Sequence, residues 1–207
     1  GRRIYLYPAD VKGWFRTARN YFHAVLMIIF LVLPWIRING RQALLFDIPQ
    51  RRFAIFGLTF WAHDGPMVFF VVGGAALALL LVTSIWGRVW CGWACPQTVF
   101  VDWLFRRIES WCEGDSVVRR RRDASPMTWN KFLRRSLKWS GFLVASLIIT
   151  HSFLAYFIGT GPLFEMVRSS PAESPAACLF MTAGTLLVLF DFGWFREQFC
   201  LLACPSG

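Results

Sequence analysis

Residues 65–87 read GPMVFFVVGGAALALLLVTSIWG without a charged side chain, and the chain continues Arg88-Val-Trp-Cys91-Gly-Trp-Ala-Cys95-Pro96. About 20 mostly apolar residues, as a helix, cross some 30 Å of hydrocarbon. The string is therefore long enough to span a bilayer, and it leaves a cysteine pair at one end. Three more uncharged stretches occupy 20–36, 139–164 and 174–190. The third of the four blocks clears the length easily. The first and last are shorter and are expected to borrow Phe192 and Trp194, or Arg19 and Arg37 reaching up to the interface. The chain is 56% hydrophobic, and its apolar residues gather in these blocks between arginine-rich segments. That pattern excludes one large soluble core and predicts an all-α membrane protein with four transmembrane helices.

Lys and Arg outnumber Asp and Glu 22 to 12, for a net charge of +10. The basic residues flank apolar blocks, so membrane orientation and anionic head groups explain them better than nucleic acid does. Four spans put both termini on one side. That side carries 17 of the basic residues, among them Arg2, Arg3, Lys12, the run 119–122 and Lys131, while Arg37, Arg41, Arg51, Arg52 and Arg168 make five on the other. The positive-inside rule makes the richer side cytoplasmic. The first block has the basic flank of a signal peptide, but Pro34-Trp35-Ile36-Arg37 is a poor cleavage site.

Between the spans, 43–48 and 52–56 flank Pro49-Gln50 and are expected to form a short outer β-hairpin on the membrane surface. The second outer loop, 159–175, is rich in Gly, Pro and Ser and is expected to be irregular. After the first cysteine pair, Phe100, Val101, Leu104, Phe105, Ile108 and Trp111 recur at helical spacing, with Asp102, Arg106, Arg107 and Glu109 between them. This predicts an amphipathic cytoplasmic helix lying on lipid.

The cysteines carry the chemistry. Cys91-Gly-Trp-Ala-Cys95-Pro96 and Cys200-Leu-Leu-Ala-Cys204-Pro205 each follow the second helix of a pair, with an aromatic residue just before (Trp90, Phe199) and an arginine upstream (Arg88, Arg196). The chain thus divides into a tail (1–19), a first helix pair ending in the motif (20–96), a basic connector (97–136) and a second helix pair ending in the motif (137–207). Duplicated membrane halves often build one site where they meet. Within a helical turn, cysteines four apart share a face, and a proline after the second suits the start of a new helix whose positive end faces the thiolates. Cys-x3-Cys-Pro also closes the bacterial ferredoxin run. Four thiolates suffice for one cluster or a tetrahedral metal. Buried, inert membrane cysteine accounts for Cys178 and Cys112, but poorly for two matched motifs. A reducing cytoplasmic face argues against a disulfide.

His23 and His151 differ by roughly ten residues of rise, about 15 Å, which disfavours a haem held by both. A histidine as deep as His151 calls for a partner such as a serine or a backbone carbonyl. His63-Asp64 reads as a solvated cap or an outer metal site, and Asp191 is placed to pair with Arg196 or tune the centre.

The strings 87–98 (GRVWCGWACPQT), 194–205 (WFREQFCLLACP), 38–49 (INGRQALLFDIP) and 56–61 (FGLTFW) resemble the CcoG (FixG/RdxA) family of bacterial inner-membrane proteins, which are cytochrome c oxidase accessory proteins. The two cysteine motifs alone are shared with the wider polyferredoxin-type group that includes NapH and NosR. The resemblance implies a 4Fe-4S centre held by Cys91, Cys95, Cys200 and Cys204. It also implies a cupric reductase activity, an electron-transfer module turning Cu(II) into Cu(I) for the haem–copper oxidase assembly machinery. The family continues into a ferredoxin domain and an outer immunoglobulin-like domain, whereas this sequence ends at Ser206-Gly207, with Ser206 where a tyrosine is expected. A membrane half alone is therefore expected. Two alternatives stay open, a thiolate copper-binding protein and a structural assembly scaffold without a cluster. A homodimer is compatible with all three.

Overall fold

Each apolar string becomes a helix because no water is available in a bilayer to satisfy free backbone groups. The computed structural model describes residues 13–38, 41–47, 52–55, 58–60, 65–86, 88–168 and 175–196. Helix α1 (Trp14–Val32) ends in a 3-10 turn, Leu33–Trp35. Pro34 lacks the amide hydrogen that would continue the ladder, and the buried Gln42 side chain donates to its carbonyl over 2.7 Å. Strands β1 (Arg37–Ile38) and β2 (Arg41–Gln42) pair antiparallel. They lead into an antiparallel sheet of β3 (Leu44–Asp47), β4 (Arg52–Ile55) and β5 (Leu58–Phe60), in that order, with Leu44 opposite Ile55 and Ile55 opposite Leu58. The turn expected at Pro49-Gln50 lies outside the described residues.

The opening string is α2 (Gly65–Trp86), followed by α3 (Arg88–Trp93). A helical run then passes from α4 (Pro96–Val99) through a first π segment (Phe100–Phe105) into α5 (Arg106–Glu113). Next come α6 (Ser116–Ala124), α7 (Trp129–Ile158), α8 (Thr160–Arg168), α9 (Pro175–Leu189) and a second π segment (Phe190–Phe195). Among the described residues three helices are long and apolar enough to cross a membrane: Trp14–Trp35, Trp129–Ile158 and Cys178–Phe195. Gly73–Trp86 instead meets Val89–Glu113 at a 103° bend, and the number becomes four when that bent pair is taken as one span. Large apolar side chains such as Ile28 and Ile29 on α1, and Leu179, Phe180 and Leu187 on α9, point away from the protein. Such faces suit lipid and make this a mostly helical membrane protein.

Three expectations change. Helix α7 begins at Trp129, inside the stretch 97–136 expected as a connector. Its 30 residues run about 45 Å, so its first turns, with Lys131, Arg134, Arg135 and Lys138, extend beyond the hydrocarbon. The second outer loop is not irregular throughout, because 160–168 form α8. Gly159, at φ +91, ends α7, and Pro162 sits in the first turn of α8, where no helix amide is lost. The amphipathic helix does not rest its apolar face on lipid. Val101 and Phe105 are buried in the protein core with Phe142, Ala145 and Ile149 of α7 and with Phe192. Phe105 stacks between Phe142, at 5.0 Å between ring centroids, and Phe192, at 5.5 Å.

Close approach between helices is made by small residues. A Cβ on Gly141 of α7 would stand 2.8 Å from Ile108 of α5, and one on Gly184 of α9 would stand 3.0 Å from Thr150 of α7. Tyr156 of α7 donates its hydroxyl to the Phe30 carbonyl over 2.7 Å, which binds α7 to α1. Near the C-terminal end of α7, β3 packs on it, with Phe46 and Phe157 at 6.2 Å.

Candidate metal centre

The first cysteine pair does not sit on one unbroken helical turn. Helix α3 stops at Trp93, and Cys95 is extended, at φ −63 and ψ 124. The cause is Pro96, whose ring disfavours helical backbone in the residue before it. Proline then opens α4 as the sequence predicts, with Cys95 as the capping residue. The loop is closed from several sides. The amides of Ala94 and Cys95 donate to the Trp90 carbonyl at 2.9 and 3.1 Å, and the Val99 amide donates to the Cys95 carbonyl at 3.0 Å. The Thr98 hydroxyl donates to the Cys91 carbonyl at 2.7 Å. Both thiols are half-buried, which gives two soft donors on a rigid turn. Among the described residues no three metal-binding side chains come together. Cys200 and Cys204 lie outside the described residues, as do His63 and Asp64.

The flanks of the two motifs meet. Gln97, just past the first motif, donates to the Asp191 carboxylate and to the Arg196 carbonyl, each over 3.4 Å. Arg196 leads toward Cys200 and takes a strained backbone at φ +45, worth about 1–3 kcal/mol. Its amide donates to the Asp191 carbonyl over 2.6 Å. Its guanidinium caps the second π segment through the carbonyls of Phe192 and Gly193, both at 3.2 Å. The expected Asp191–Arg196 side-chain pair is replaced. Arg196 instead grips Glu109 with two bonds of 3.1 and 3.4 Å.

Glu109 is the hub of the ion pairs that join α5, α6, α7 and Arg196. Only 8% exposed, it also pairs with Arg119 at 2.7 Å and Lys138 at 3.8 Å. Lys138 reaches Glu113 at 2.8 Å as well. Glu109 lies outside the three spanning helices. Burial by itself raises its pKa, but Arg196, Arg119 and Lys138 outweigh that and hold the carboxyl below the usual carboxylate value. Nearby, burial and then the Glu113 carboxylate push the Cys112 thiol up, which fits an inert thiol. Cys178 is exposed on α9, so lipid, not protein, would cover it.

Helix α1 covers the first motif. Phe22 and Phe15 pack on Trp93 at 5.7 and 6.5 Å. His23 is fully buried beside the backbone of Gly92 and Trp93. Asp102, close to His23, is engaged by Arg19 at 3.5 Å and by Arg106. His151 is satisfied by the Leu147 carbonyl, 2.8 Å from its Nδ1.

A family model described as a 4Fe-4S binding domain matches residues 67–122, which contain the first cysteine pair. RdxA of Cereibacter sphaeroides is 37% identical over 212 residues, covering 98% of this chain and 44% of RdxA. RdxB of the same organism is 35% identical, over 99% of this chain and 43% of RdxB. The nitrogen fixation protein FixG of Rhizobium meliloti is 34% identical, over 99% of this chain and 40% of FixG. The chain belongs to the RdxA/FixG family. It spans less than half the length of these relatives. The likeness to the RdxA/FixG proteins runs past the domain match and takes in the second cysteine pair. No solved structure matches the chain.

The sequence pattern does not single out Gln97 or Glu109. The signal for Glu109 lies in spacing. Val101, Phe105 and Glu109 are four apart and all buried, so the carboxylate sits on the apolar stripe, where it needs the cations it finds. For Gln97 no signal exists, since its partners are 94 and 99 residues away.

Proposed function

We propose that this chain is the membrane module of an iron–sulfur electron-transfer protein. In this reading Cys91, Cys95, Cys200 and Cys204 ligate one 4Fe-4S cluster at the cytoplasmic face. Its electrons reduce Cu(II) to Cu(I) during assembly of haem–copper cytochrome oxidase. The observation that carries the shared site is the bridge from Gln97 to Asp191 and Arg196, which draws the flank of the first pair to the lead-in of the second. The 4Fe-4S domain match over 67–122 supports cluster chemistry. When bound, such a cluster supplies single electrons, which is the change that takes Cu(II) to Cu(I).

In this reading α2 is the fourth span, so that α1 and α2 are the first helix pair along the sequence and α7 and α9 the second. The chain lies in a bacterial inner membrane with both termini cytoplasmic, supported by the 17-to-5 division of basic residues. Its partners are the bilayer, copper ions and the oxidase assembly machinery, without nucleic acid, and the chain acts singly or as a homodimer.

Anaerobic reconstitution with iron and sulfide tests the reading. The expected product is brown, carries the iron of one 4Fe-4S cluster and, once reduced, converts Cu(II) to a chelated Cu(I) complex. Cys91→Ser and Cys204→Ser should each abolish the colour. A colourless, iron-free protein that binds Cu(I) tightly would favour a thiolate copper site instead.

A further inference from the structure

A cleft where α6 meets the first turns of α7 is lined by Arg119, Arg122, Lys131, Arg134 and Arg135, against the two acids Glu113 and Asp123. The Glu113 carboxylate is taken by Lys138 at 2.8 Å. Among the described residues no ion pair uses Arg122, Lys131, Arg134 or Arg135. Three of these cations turn to neutral acceptors instead. Arg122 donates to the Glu113 carbonyl at 2.8 Å, Arg134 to the Cys112 carbonyl at 3.1 Å and Lys131 to the Ser125 carbonyl at 2.8 Å. Arg119 does pair, with Glu109, yet it is only 8% exposed and its Nε has no partner among the described residues. A buried, unanswered N–H costs about 1–3 kcal/mol. Cations crowded around one cleft also repel each other unless an anion lies among them. Guanidinium forks match the oxygens of a phosphate.

The surroundings favour a lipid phosphate. Trp129 and Phe132, stacked at 5.8 Å, stand exposed on the same turns of α7 as these cations. Aromatic and basic residues together mark the head-group layer of a bilayer. Leu133, Leu137, Val144 and Ile148 are exposed as well and share one face of α7, an apolar path from this end of the helix into its span. A soluble phosphate has no use for such a path, whereas an acyl chain does. We propose that the cleft binds the phosphate of an anionic phospholipid headgroup, with the lipid's chains lying along α7. Basic pockets between membrane helices take such head groups. The site stands apart from the cysteines and does not depend on the cluster reading. Arg119 nevertheless ties it to Glu109, and through Glu109 to Arg196, so bound lipid stiffens the junction of α5, α6 and α7.

The test uses the whole chain, stripped of lipid in a neutral detergent, as wild type, Arg134→Gln/Arg135→Gln and Arg120→Gln/Arg121→Gln. The last variant removes the same charge from exposed positions outside the cleft. Native mass spectrometry counts the lipid retained from phosphatidylglycerol or phosphatidylcholine. The unfolding midpoint is read with each lipid and with inorganic phosphate. Wild type and Arg120→Gln/Arg121→Gln should retain several-fold more phosphatidylglycerol than phosphatidylcholine, with a rise in midpoint that follows retention. Arg134→Gln/Arg135→Gln should lose both the preference and the rise. Equal retention of the two lipids by the wild type would overturn the proposal and leave the cations to an acidic protein. Equal loss in both double variants overturns it too, since the attraction is then diffuse charge. A midpoint raised as much by inorganic phosphate as by phosphatidylglycerol shows a site for the free ion, not for lipid. If circular dichroism shows Arg134→Gln/Arg135→Gln unfolded, the single Arg135→Gln, at an exposed side chain, decides in its place.

Discussion

The side-chain amide of Gln97 lies 3.4 Å from the carboxylate of Asp191, across 94 residues of sequence, and joins the start of one helical run to the end of another. A matching 3.4 Å contact reaches the Arg196 carbonyl. Both are long for N–H···O bonds, so each contributes less than the roughly 1 kcal/mol of a typical one. Their weight is positional, because they fix the distance between the two cysteine flanks. Gln97→Leu should leave the fold intact and speed loss of iron to a chelator. Gln97→Glu should be worse, since it sets a second carboxylate beside Asp191. Iron retention against time, with circular dichroism as the folding control, checks both. Equal retention in all three proteins would show the bridge to be incidental.

Glu109 governs this end of the molecule more strongly. Removing a buried partner strands the charges it held, at a cost on the order of 3 kcal/mol. Glu109→Gln should therefore lower the unfolding midpoint in detergent sharply. Arg196→Gln should lower it less, since Arg119 and Lys138 remain on the carboxylate.

The same carboxylate sets a pH response. In the folded chain Glu109 ionises below its ordinary value of 4.5. Between the folded and unfolded values the unfolded chain therefore binds more protons, and stability rises with pH. The contribution of Glu109 is complete above about 4.5 and is lost as pH falls through the lower folded value. Thermal unfolding of the wild type should show this loss, and the Glu109→Gln curve should lack that step.

Packing between α5 and α7 makes a sharper test. A Cβ at Gly141 would meet the Cγ2 methyl of Ile108 at 2.8 Å, and a β-branched methyl is stiff. Gly141→Ala should cost roughly 1–3 kcal/mol through overpacking. Gly74→Ala, with nothing within 4 Å of the new methyl, should be neutral or mildly stabilising. Ile108→Leu moves the branch away from Cβ, so the double variant should recover much of the loss. That coupling is read from a double-mutant cycle.

The membrane class was legible because each apolar string must satisfy its own backbone, and a 20-residue uncharged block has one economical answer in lipid. Pro96 announced the helix it opens for the same local reason. What failed to show were the long-range choices. Whether Val101 and Phe105 face lipid or Phe142 depends on which helix lies across from them, and both surfaces are equally apolar to a pattern of spacing. The π geometry of 100–105 and of 190–195 is likewise invisible to a pattern of spacing. Arg196 chose Glu109 over the nearer Asp191 because its own backbone turns at φ +45 and swings the guanidinium back toward α5.

Thr98 offers the most local test of the cysteine turn. Its hydroxyl donates to the Cys91 carbonyl over 2.7 Å, closing the loop between the two thiols from the first turn after Pro96. Thr98→Val keeps the shape and removes the donor to that carbonyl. Thr98→Ser keeps the donor and removes a methyl. A typical bond of this kind contributes about 1 kcal/mol, small against the fold but concentrated on the spacing of the two cysteines. The unfolding midpoint should therefore move little in either variant. Cluster retention should fall several-fold in Thr98→Val and stay near wild type in Thr98→Ser, as followed by decay of the brown absorbance in air. If the serine variant loses its cluster as fast as the valine variant, the methyl matters more than the hydroxyl. The turn would then be held by packing, not by its hydrogen bond.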